Sequence, residues 1–197
     1  MNGGKIDCPA YDVVMPKQRA SKWDWFERAL NVLRMEGVDA VKVERLAREL
    51  GIAKSGFYWH FKDRDDLLAQ LVDYWAHEYT AVIAENVAVM GMEPKERLIE
   101  TARLITKHGF NDCEVSMRAW ALTDQEVARR VEKVYATRLR FIKRAFIELD
   151  FDEWEAELRA RLYMVYHVWE PATFGPQGGK KGYLKAIERR VELLARR

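Results

Sequence analysis

Apolar residues recur at intervals of three and four along most of the chain, which is the spacing of one face of a helix. One such stripe predicts a first helix that begins at Ser21 or Asp24 and ends at Gly37. Its apolar residues are Trp23, Phe26, Leu30 and Leu33. Residues 1–20 carry glycines and prolines without a helical period, so we predict an irregular N-terminal arm there. No alternating pattern typical of strands competes, and the predicted fold class is all-α.

The segment from Leu46 to Leu68, LARELGIAKSGFYWHFKDRDDLL, contains helical patterns on both sides of a glycine. Gly51 lies where a helix C-cap needs the left-handed conformation, which glycine adopts without a Cβ penalty. Ser55 is a candidate cap or first-turn residue for the next helix, and Asp63 is a candidate cap for the helix after it. Two short helices around a tight turn form a helix-turn-helix, whose second helix fits the major groove of DNA.

The aromatic run FYWHF at 57–61 allows two interpretations. It is either a core segment or a DNA-facing surface held in place by Phe57 and Phe61. A helix cannot turn five consecutive side chains inward, and small residues precede the run, so DNA contact is favoured. The residues expected to face DNA in this segment are Lys54, Ser55, Gly56, Tyr58, Trp59, His60, Lys62 and Arg64.

These residues have different expected roles. Lys54 is the candidate for donating a hydrogen bond to guanine in the groove, with Ser55 beside it. The expected phosphate contacts are Tyr58, Lys62 and Arg64. For Trp59 and His60 two roles stay open, since either side chain could contact DNA or brace this helix against the first one.

Residues 23–75 resemble the TetR family of one-component transcriptional regulators. The resemblance rests on the first helix ending at Gly37, the LAxxLGI second helix, the FYWHFK third helix and the DxxxLL start of the fourth. It implies a helix-turn-helix DNA-binding domain at 21–68 and a helical ligand-binding and dimerisation domain at 69–197. It also implies a homodimeric repressor that binds a palindromic operator and is released by a small effector.

The chain departs from the family's pattern at the start of the second helix. Family members usually have Thr or Ser there, which caps the helix and touches a phosphate. This chain has Lys42, Val43 and Glu44 instead. Lys42 is therefore the candidate replacement for the phosphate contact, while the helix is expected to lack its usual cap.

Helical patterns continue to the end of the chain. The fourth helix is expected from near Arg64 to about Met90, and later helices at about 94–108, 114–122, 124–149, 152–169 and 182–195. The resemblance implies that the helices at about 153–170 and 182–195 form a four-helix dimer interface. Its apolar residues would be Leu158, Leu162, Val165, Tyr166, Trp169, Leu184, Ile187, Val191 and Leu194.

The effector site is expected to be an apolar pocket with a few polar groups in the second half. The candidate lining residues are Trp75, Tyr79, His108, Met117, Trp120, Tyr163 and His167. Each of them could instead be an ordinary core or interface residue. Arg118 could bind an acidic ligand or pair with Asp112 or Glu114. The aromatic content favours a hydrophobic or aromatic effector.

Composition limits the remaining possibilities. The 197 residues are 49% hydrophobic, with a net charge of only +2 and a small excess of Lys and Arg in residues 1–64. No apolar run is long enough for a transmembrane helix or a signal core, so a cytoplasmic protein without a membrane partner is expected. Neither the two cysteines nor the four histidines have the spacing of a metal site, and no cofactor is expected.

Two other classes of function remain as alternatives. One is a helical enzyme that carries a helix-turn-helix, and the other is an interaction protein in which the motif is vestigial. No paired carboxylates, nucleophile–base set or phosphate-binding glycine loop is evident, so no catalytic residue is predicted. The unusual start of the second helix keeps the vestigial alternative open.

Overall fold

The computed structural model describes residues 20–81, 87–109, 111–169 and 179–196, and these residues form helices and turns without a strand. The all-α prediction is confirmed. The α-helices are α1 (Lys22–Glu36), α2 (Val43–Glu49), α3 (Arg64–Ala76), α4 (Val87–Met90), α5 (Pro94–His108), α6 (Glu114–Ala121), α7 (Gln125–Glu148), α8 (Glu153–Met164) and α9 (Gly179–Leu194). Short 3₁₀ helices form at Val38–Ala40 and Lys54–Trp59. A π-helical turn extends α3 at His77–Ala81 and another extends α8 at Val165–Trp169.

The helix starts follow the polar residues that precede them. Ser21 caps α1, and its backbone N–H donates to the Asp24 carboxylate at 2.7 Å, which completes a capping box. Asp63 caps α3 by accepting from the backbone N–H of Asp66 at 2.8 Å. Asp152 caps α8 in the same way. The predicted starts of these three helices are therefore confirmed.

The helix that follows the turn differs from the sequence expectation. Gly51 has the predicted positive φ of 68°. The segment after it is 3₁₀, begins at Lys54, and follows Ala53, which makes no side-chain cap. Ser55 is therefore a first-turn residue and not a cap. The segment is six residues long and contains Gly56, a poor helix former, and such short pieces favour i→i+3 hydrogen bonds.

Two other boundaries differ or fall outside the described residues. α9 begins at Gly179, three residues before the expected start at Gly182, so Gly179 is helical and not part of a loop. The continuity of the expected fourth helix depends on residues 82–86, which lie outside the described residues. The expected N-terminal arm, apart from residue 20, and the last residue of the expected interface helix at 153–170 also lie outside them.

The buried residues form two hydrophobic clusters that share α7. The first cluster comprises the inner faces of α1, α2, the 3₁₀ helix 54–59 and α3, together with residues of α6 and of the first part of α7. The second cluster joins α5, the last part of α7, α8 and α9. Along α7, Val134 belongs to the first cluster and Ile142 to the second. The short stretch between these two residues marks the seam between the clusters.

Candidate DNA-binding surface and effector cavity

The aromatic run divides between core and surface. Phe57 and Phe61 are buried, and their rings contact Trp25 and Phe26 of α1 with centroids 5.3 and 5.4 Å apart. Burying two aromatic side chains on each side of this contact fixes the 3₁₀ helix against α1. The exposed aromatic residues between the two phenylalanines are Tyr58 (57%) and Trp59 (77%).

The predicted DNA-facing residues form one exposed surface around the 3₁₀ helix. The exposed members are Lys42, Lys54, Ser55, Tyr58, Trp59 and Lys62. Gly56 is partly buried, and a Cβ there would lie 3.7 Å from Ile52 Cδ1, which is an ordinary van der Waals contact. α2 starts at Lys42 without any side-chain cap, as its sequence predicts.

Lys54 forms an ion pair that sequence reasoning did not foresee. Its ammonium group donates to the Glu44 carboxylate in the first turn of α2. This hydrogen bond raises the pKa of Lys54 and lowers the pKa of Glu44. Both side chains remain exposed, so the pair is expected to contribute little to stability and to break readily when Lys54 meets a base or phosphate.

Arg64 and His60 are placed differently from the other members. The Arg64 guanidinium donates to the carbonyls of Val41 (2.6 Å) and Val38 (2.8 Å), so it braces the turn between α1 and α2. Its Nη1 atom lies 3.8 Å from the Asp65 carboxylate, and a phosphate contact by Arg64 stays a prediction. His60 Nε2 donates to the Ala20 carbonyl at 2.9 Å, in agreement with the bracing role left open for it.

The six expected pocket residues whose side chains the structure describes do not line one common cavity. Trp75, Met117 and Trp120 are buried in the first hydrophobic cluster. Tyr163 is buried in the second cluster, and the His167 ring lies 4.4 Å from the Tyr163 ring. His108 lines a separate polar cleft of about 230 Å³ near α1, and Trp120 borders another of about 150 Å³. The side chain of Tyr79 lies outside the described residues. Most of these residues pack against neighbouring helices in the core. Sequence periodicity shows that a residue faces inward, but it cannot distinguish a core residue from one that lines a pocket.

A larger cavity of about 590 Å³ lies between α6, α7 and α8, and we call it the α7 cavity. Its lining residues are Arg118, Glu132, Tyr135, Ala136, Leu139, Arg161, Met164, Val165 and Trp169. The rings of Tyr135 and Trp169 are 6.1 Å apart and form an aromatic wall. Arg118 lies over the Tyr135 ring at 5.5 Å, and Arg161 is held by Glu157. None of the six predicted pocket residues with a described side chain lines this cavity.

A buried polar network adjoins the α7 cavity. Glu114 has no exposed surface, and its carboxylate accepts from Arg138 at 2.6 Å and from the Tyr135 hydroxyl. Arg138 also donates from Nε to Thr80 Oγ1 at 2.8 Å, and its guanidinium lies 5.2 Å from the Trp75 ring. Burial, followed by the charge of Glu114, raises the pKa of Tyr135 well above its usual range. The pairing expected between Arg118 and Glu114 is replaced by pairing of Glu114 with Arg138.

The outer face of α8 carries a continuous apolar stripe. Spacing by three and four places its members on one side of the helix and its π turn. They are Trp154, Leu158, Leu162, Val165 and Tyr166, and Trp154 is 76% exposed. On α9, Ile187 and Val191 are buried within the protomer and Leu193 is exposed, while the Leu184 side chain lies outside the described residues. Two of the expected interface residues, Ile187 and Val191, are therefore core, and the sequence analysis did not include the exposed Trp154 in the stripe.

The comparisons with known proteins agree with this architecture. Residues 26–71 match the family model described as bacterial regulatory proteins, tetR family. A search of curated proteins finds no match. Within the described residues, no helix is long and apolar enough to cross a membrane.

Three solved structures illustrate the similarity of the fold. A transcriptional regulator from Rhodococcus sp. Rha1 is 16% identical with a TM-score of 0.66, covering 89% of this chain and 96% of that chain. AibR, solved in complex with isovaleryl coenzyme A and operator DNA, is 16% identical with a TM-score of 0.63, covering 85% and 95%. FadR from Bacillus subtilis, solved in complex with stearoyl-CoA, is 16% identical with a TM-score of 0.62, covering 89% and 98%.

Proposed function

The chain belongs to the TetR family of bacterial regulatory proteins, and on that premise we propose that it is a homodimeric repressor that binds a palindromic operator and is released by a small effector. It is a DNA-binding transcriptional regulator and not an enzyme. The observation that carries the proposal is the 3₁₀ helix at 54–59, which is fixed to α1 by Phe57 and turns its polar and aromatic residues outward.

The proposed DNA contacts follow from exposure and donor chemistry. Lys54 and Ser55 enter the major groove, where the Lys54 ammonium leaves Glu44 and donates to a guanine. Tyr58 and Lys62 contact phosphates, and Lys42 replaces the usual Thr or Ser contact at the start of α2. Trp59 lies beside the groove, while His60 and Arg64 hold the surface in shape through their backbone contacts. The proposed DNA-binding domain spans residues 21–68.

The proposed dimer interface uses the exposed stripe of α8 together with α9. Contiguous apolar surface of this kind is rare on monomeric proteins and marks an interaction site. A second copy of the chain is the proposed partner, since an isologous pair of α8 and α9 helices would cover both stripes at once. Two recognition surfaces related by a two-fold axis would then match the two halves of a palindrome.

The proposed effector site is the α7 cavity. Its volume and its aromatic wall suit a small molecule with an apolar or aromatic body, and the Arg118 guanidinium suits an anionic group on that molecule. The coenzyme A thioesters bound by AibR and FadR also combine an acyl chain with anionic groups. Release from DNA requires a coupling free energy of only about 1–3 kcal/mol between the two sites.

The proposal is tested by selecting bound sequences from random DNA and measuring operator binding by gel shift. We expect a palindromic consensus and a complex that contains two copies of the chain. Isovaleryl-CoA and stearoyl-CoA serve as first probes of the cavity, and a probe that binds should weaken the operator complex. A protein that enriches no sequence from the random pool would refute the proposed function.

The dimer has its own test with a matched control. Leu162→Glu places a charge in the middle of the apolar stripe, whereas Leu122→Glu places one at the end of α6, at a site that is 87% exposed and not part of the stripe. Light scattering should give a dimer for the wild type and Leu122→Glu and a monomer for Leu162→Glu. A dimeric Leu162→Glu variant would show that the interface lies elsewhere.

A further inference from the structure

The seam between the two hydrophobic clusters contains a fully buried carboxylate. An ionised carboxylate that loses contact with water must be paired and hydrogen-bonded to be tolerated. Glu114 meets this requirement with one oxygen on Arg138 Nη1 and the other on the Tyr135 hydroxyl. Removing either donor would leave a carboxylate oxygen unsatisfied in a site that water does not reach.

The same group of residues extends to the helix that leaves the DNA-binding domain. Arg138 Nε donates to Thr80, which lies in the π turn that extends α3. Thr80 is buried, and the Arg138 guanidinium is held between it and Glu114 while lying against the Trp75 ring of α3. One side chain therefore joins α7 both to α6 and to the extension of α3.

At its other end, the group reaches the α7 cavity. Tyr135 lines this cavity, and its ring faces Trp169 and Arg118 there. The Tyr135 ring is thus accessible to a ligand in the cavity, while its hydroxyl is committed to Glu114 inside the protein.

We propose that Tyr135, Glu114, Arg138 and Thr80 form a polar relay that reports occupancy of the α7 cavity to the extension of α3. A ligand that displaces the Tyr135 ring withdraws the hydroxyl from Glu114. The Arg138 guanidinium then turns to donate to both Glu114 oxygens, which is the preferred bidentate geometry of an arginine–carboxylate pair. This rotation removes Nε from Thr80, and the π turn loses its tie to α7.

The relay rests on the proposed function, but a substitution tests it without an effector. Tyr135→Phe removes the hydroxyl and keeps the ring, so it reproduces the loss of the Glu114 hydrogen bond. We expect amide hydrogen exchange in residues 77–81 to increase about threefold or more, as for the loss of one buried hydrogen bond. Tyr163→Phe is the matched control, because that buried hydroxyl donates to the Leu98 carbonyl in the second cluster at 2.6 Å.

The two variants separate the relay from general destabilisation. Faster exchange at 77–81 in Tyr135→Phe, with unchanged exchange there in Tyr163→Phe, supports the relay. Unchanged exchange at 77–81 in Tyr135→Phe overturns it, and so does an equal increase in both variants. This measurement needs no DNA, so its outcome is independent of whether an operator is found.

A double-mutant cycle on operator binding tests the link to DNA. The cycle combines Tyr135→Phe with Thr80→Val. In the described network these two side chains are connected through Glu114 and Arg138 and do not hydrogen-bond to each other. If both act through the relay, the double variant should change the operator dissociation constant no more than the larger single change. Additive changes would overturn the relay while leaving the operator complex, and hence the proposed function, intact.

Discussion

The two hydrophobic clusters define two regions of the protein, which share α7 and differ in where their polar residues lie. The first cluster packs apolar side chains beneath the helix-turn-helix and leaves the charged residues of that unit on the surface, where DNA is proposed to bind. The arginine, glutamate and histidine side chains that are buried in the described part of the chain lie at the seam or in the second region, and they are Arg97, Glu114 and His167. Substitutions of polar residues should therefore lower the free energy of unfolding most at the seam and least at the DNA-facing surface.

The shared helix explains why the seam matters for signalling. Arg130 of α7 donates to the Ala69 carbonyl and to Asp73 of α3, both at 2.9 Å, so the first part of α7 is also tied to α3. The last part of α7 packs on α8, which carries the proposed dimer stripe. A change at the seam is thus positioned to alter how the DNA-binding helices sit relative to the dimer.

The largest expected effect is at the seam itself. Arg138→Met removes the main partner of a carboxylate that has no exposed surface, and breaking such a pair costs about 3–5 kcal/mol. The free energy of unfolding, measured by urea denaturation, should fall by that amount. Arg129→Met on the same helix is the control, since Arg129 is 73% exposed in its ion pair and should change stability by less than about 0.5 kcal/mol.

Replacing both partners sharpens this prediction. The double variant Glu114→Met with Arg138→Met leaves no unpaired buried charge, so it should be markedly more stable than Arg138→Met alone. If Arg138→Met were as stable as Arg129→Met, the seam would not be the electrostatically sensitive part of the molecule and the contrast between the two regions would fail.

The next effect concerns pH in the second region. Burial, with the charge of Arg190 as a further cause, lowers the pKa of His167 from 6.5 to about 3. The folded state therefore keeps His167 neutral where the unfolded chain binds a proton, and stability is present above pH 6.5 and lost as the pH falls toward 3. Between pH 7 and pH 5 this group should reduce the free energy of unfolding by about 2 kcal/mol.

Comparing variants isolates the histidine from other titrating groups. His167→Gln removes this contribution, so the stability difference between the wild type and the variant should shrink on acidification from pH 7 to pH 5. A constant difference between the wild type and His167→Gln would show that His167 does not titrate with folding.

The contrast between the two regions also decides what sequence alone could predict. The first region is specified by local signals. Ser21 and Asp63 cap the helices that follow them, and Gly51 makes the turn that follows α2. Each of these residues lies next to the helical pattern that it starts or ends. The division of the aromatic run was predictable for the same reason, since five consecutive residues cannot share one helix face.

The second region depends on contacts that no local pattern encodes. The lining of the α7 cavity combines Arg118 of α6, Tyr135 of α7 and Trp169 at the end of α8. Because these residues come from three different helices, spacing along the chain could not predict the lining. The role of Arg64 was missed similarly, because the carbonyls that hold it belong to the turn before α2. In both cases the local sequence permitted several positions for the side chain, and tertiary packing determined which of them it adopts.

A smaller effect on stability is expected for Arg64. Its hydrogen bonds to two carbonyls in the turn before α2 are charge-assisted but partly exposed, so Arg64→Met should lower the free energy of unfolding by about 1–2 kcal/mol. Arg48→Met, an exposed site on α2, is the control and should be nearly neutral. If Arg64→Met instead keeps full stability and flattens the salt dependence of DNA binding, Arg64 acts on phosphates after all.

The smallest effect on stability is expected for Lys62, although its effect on DNA binding should be clear. Lys62→Ala should change the free energy of unfolding by less than about 0.5 kcal/mol, because the side chain is exposed. Loss of one phosphate contact per protomer should weaken binding to all sequences and reduce the slope of log affinity against log salt by about one unit per contact.

Lys54→Ala should instead relax the base preference at one position of each operator half-site, and Lys133→Ala on α7 should change neither property. An unchanged salt slope in Lys62→Ala would remove it from the DNA-binding surface, and an unchanged preference in Lys54→Ala would leave the Glu44 ion pair as the main role of that lysine.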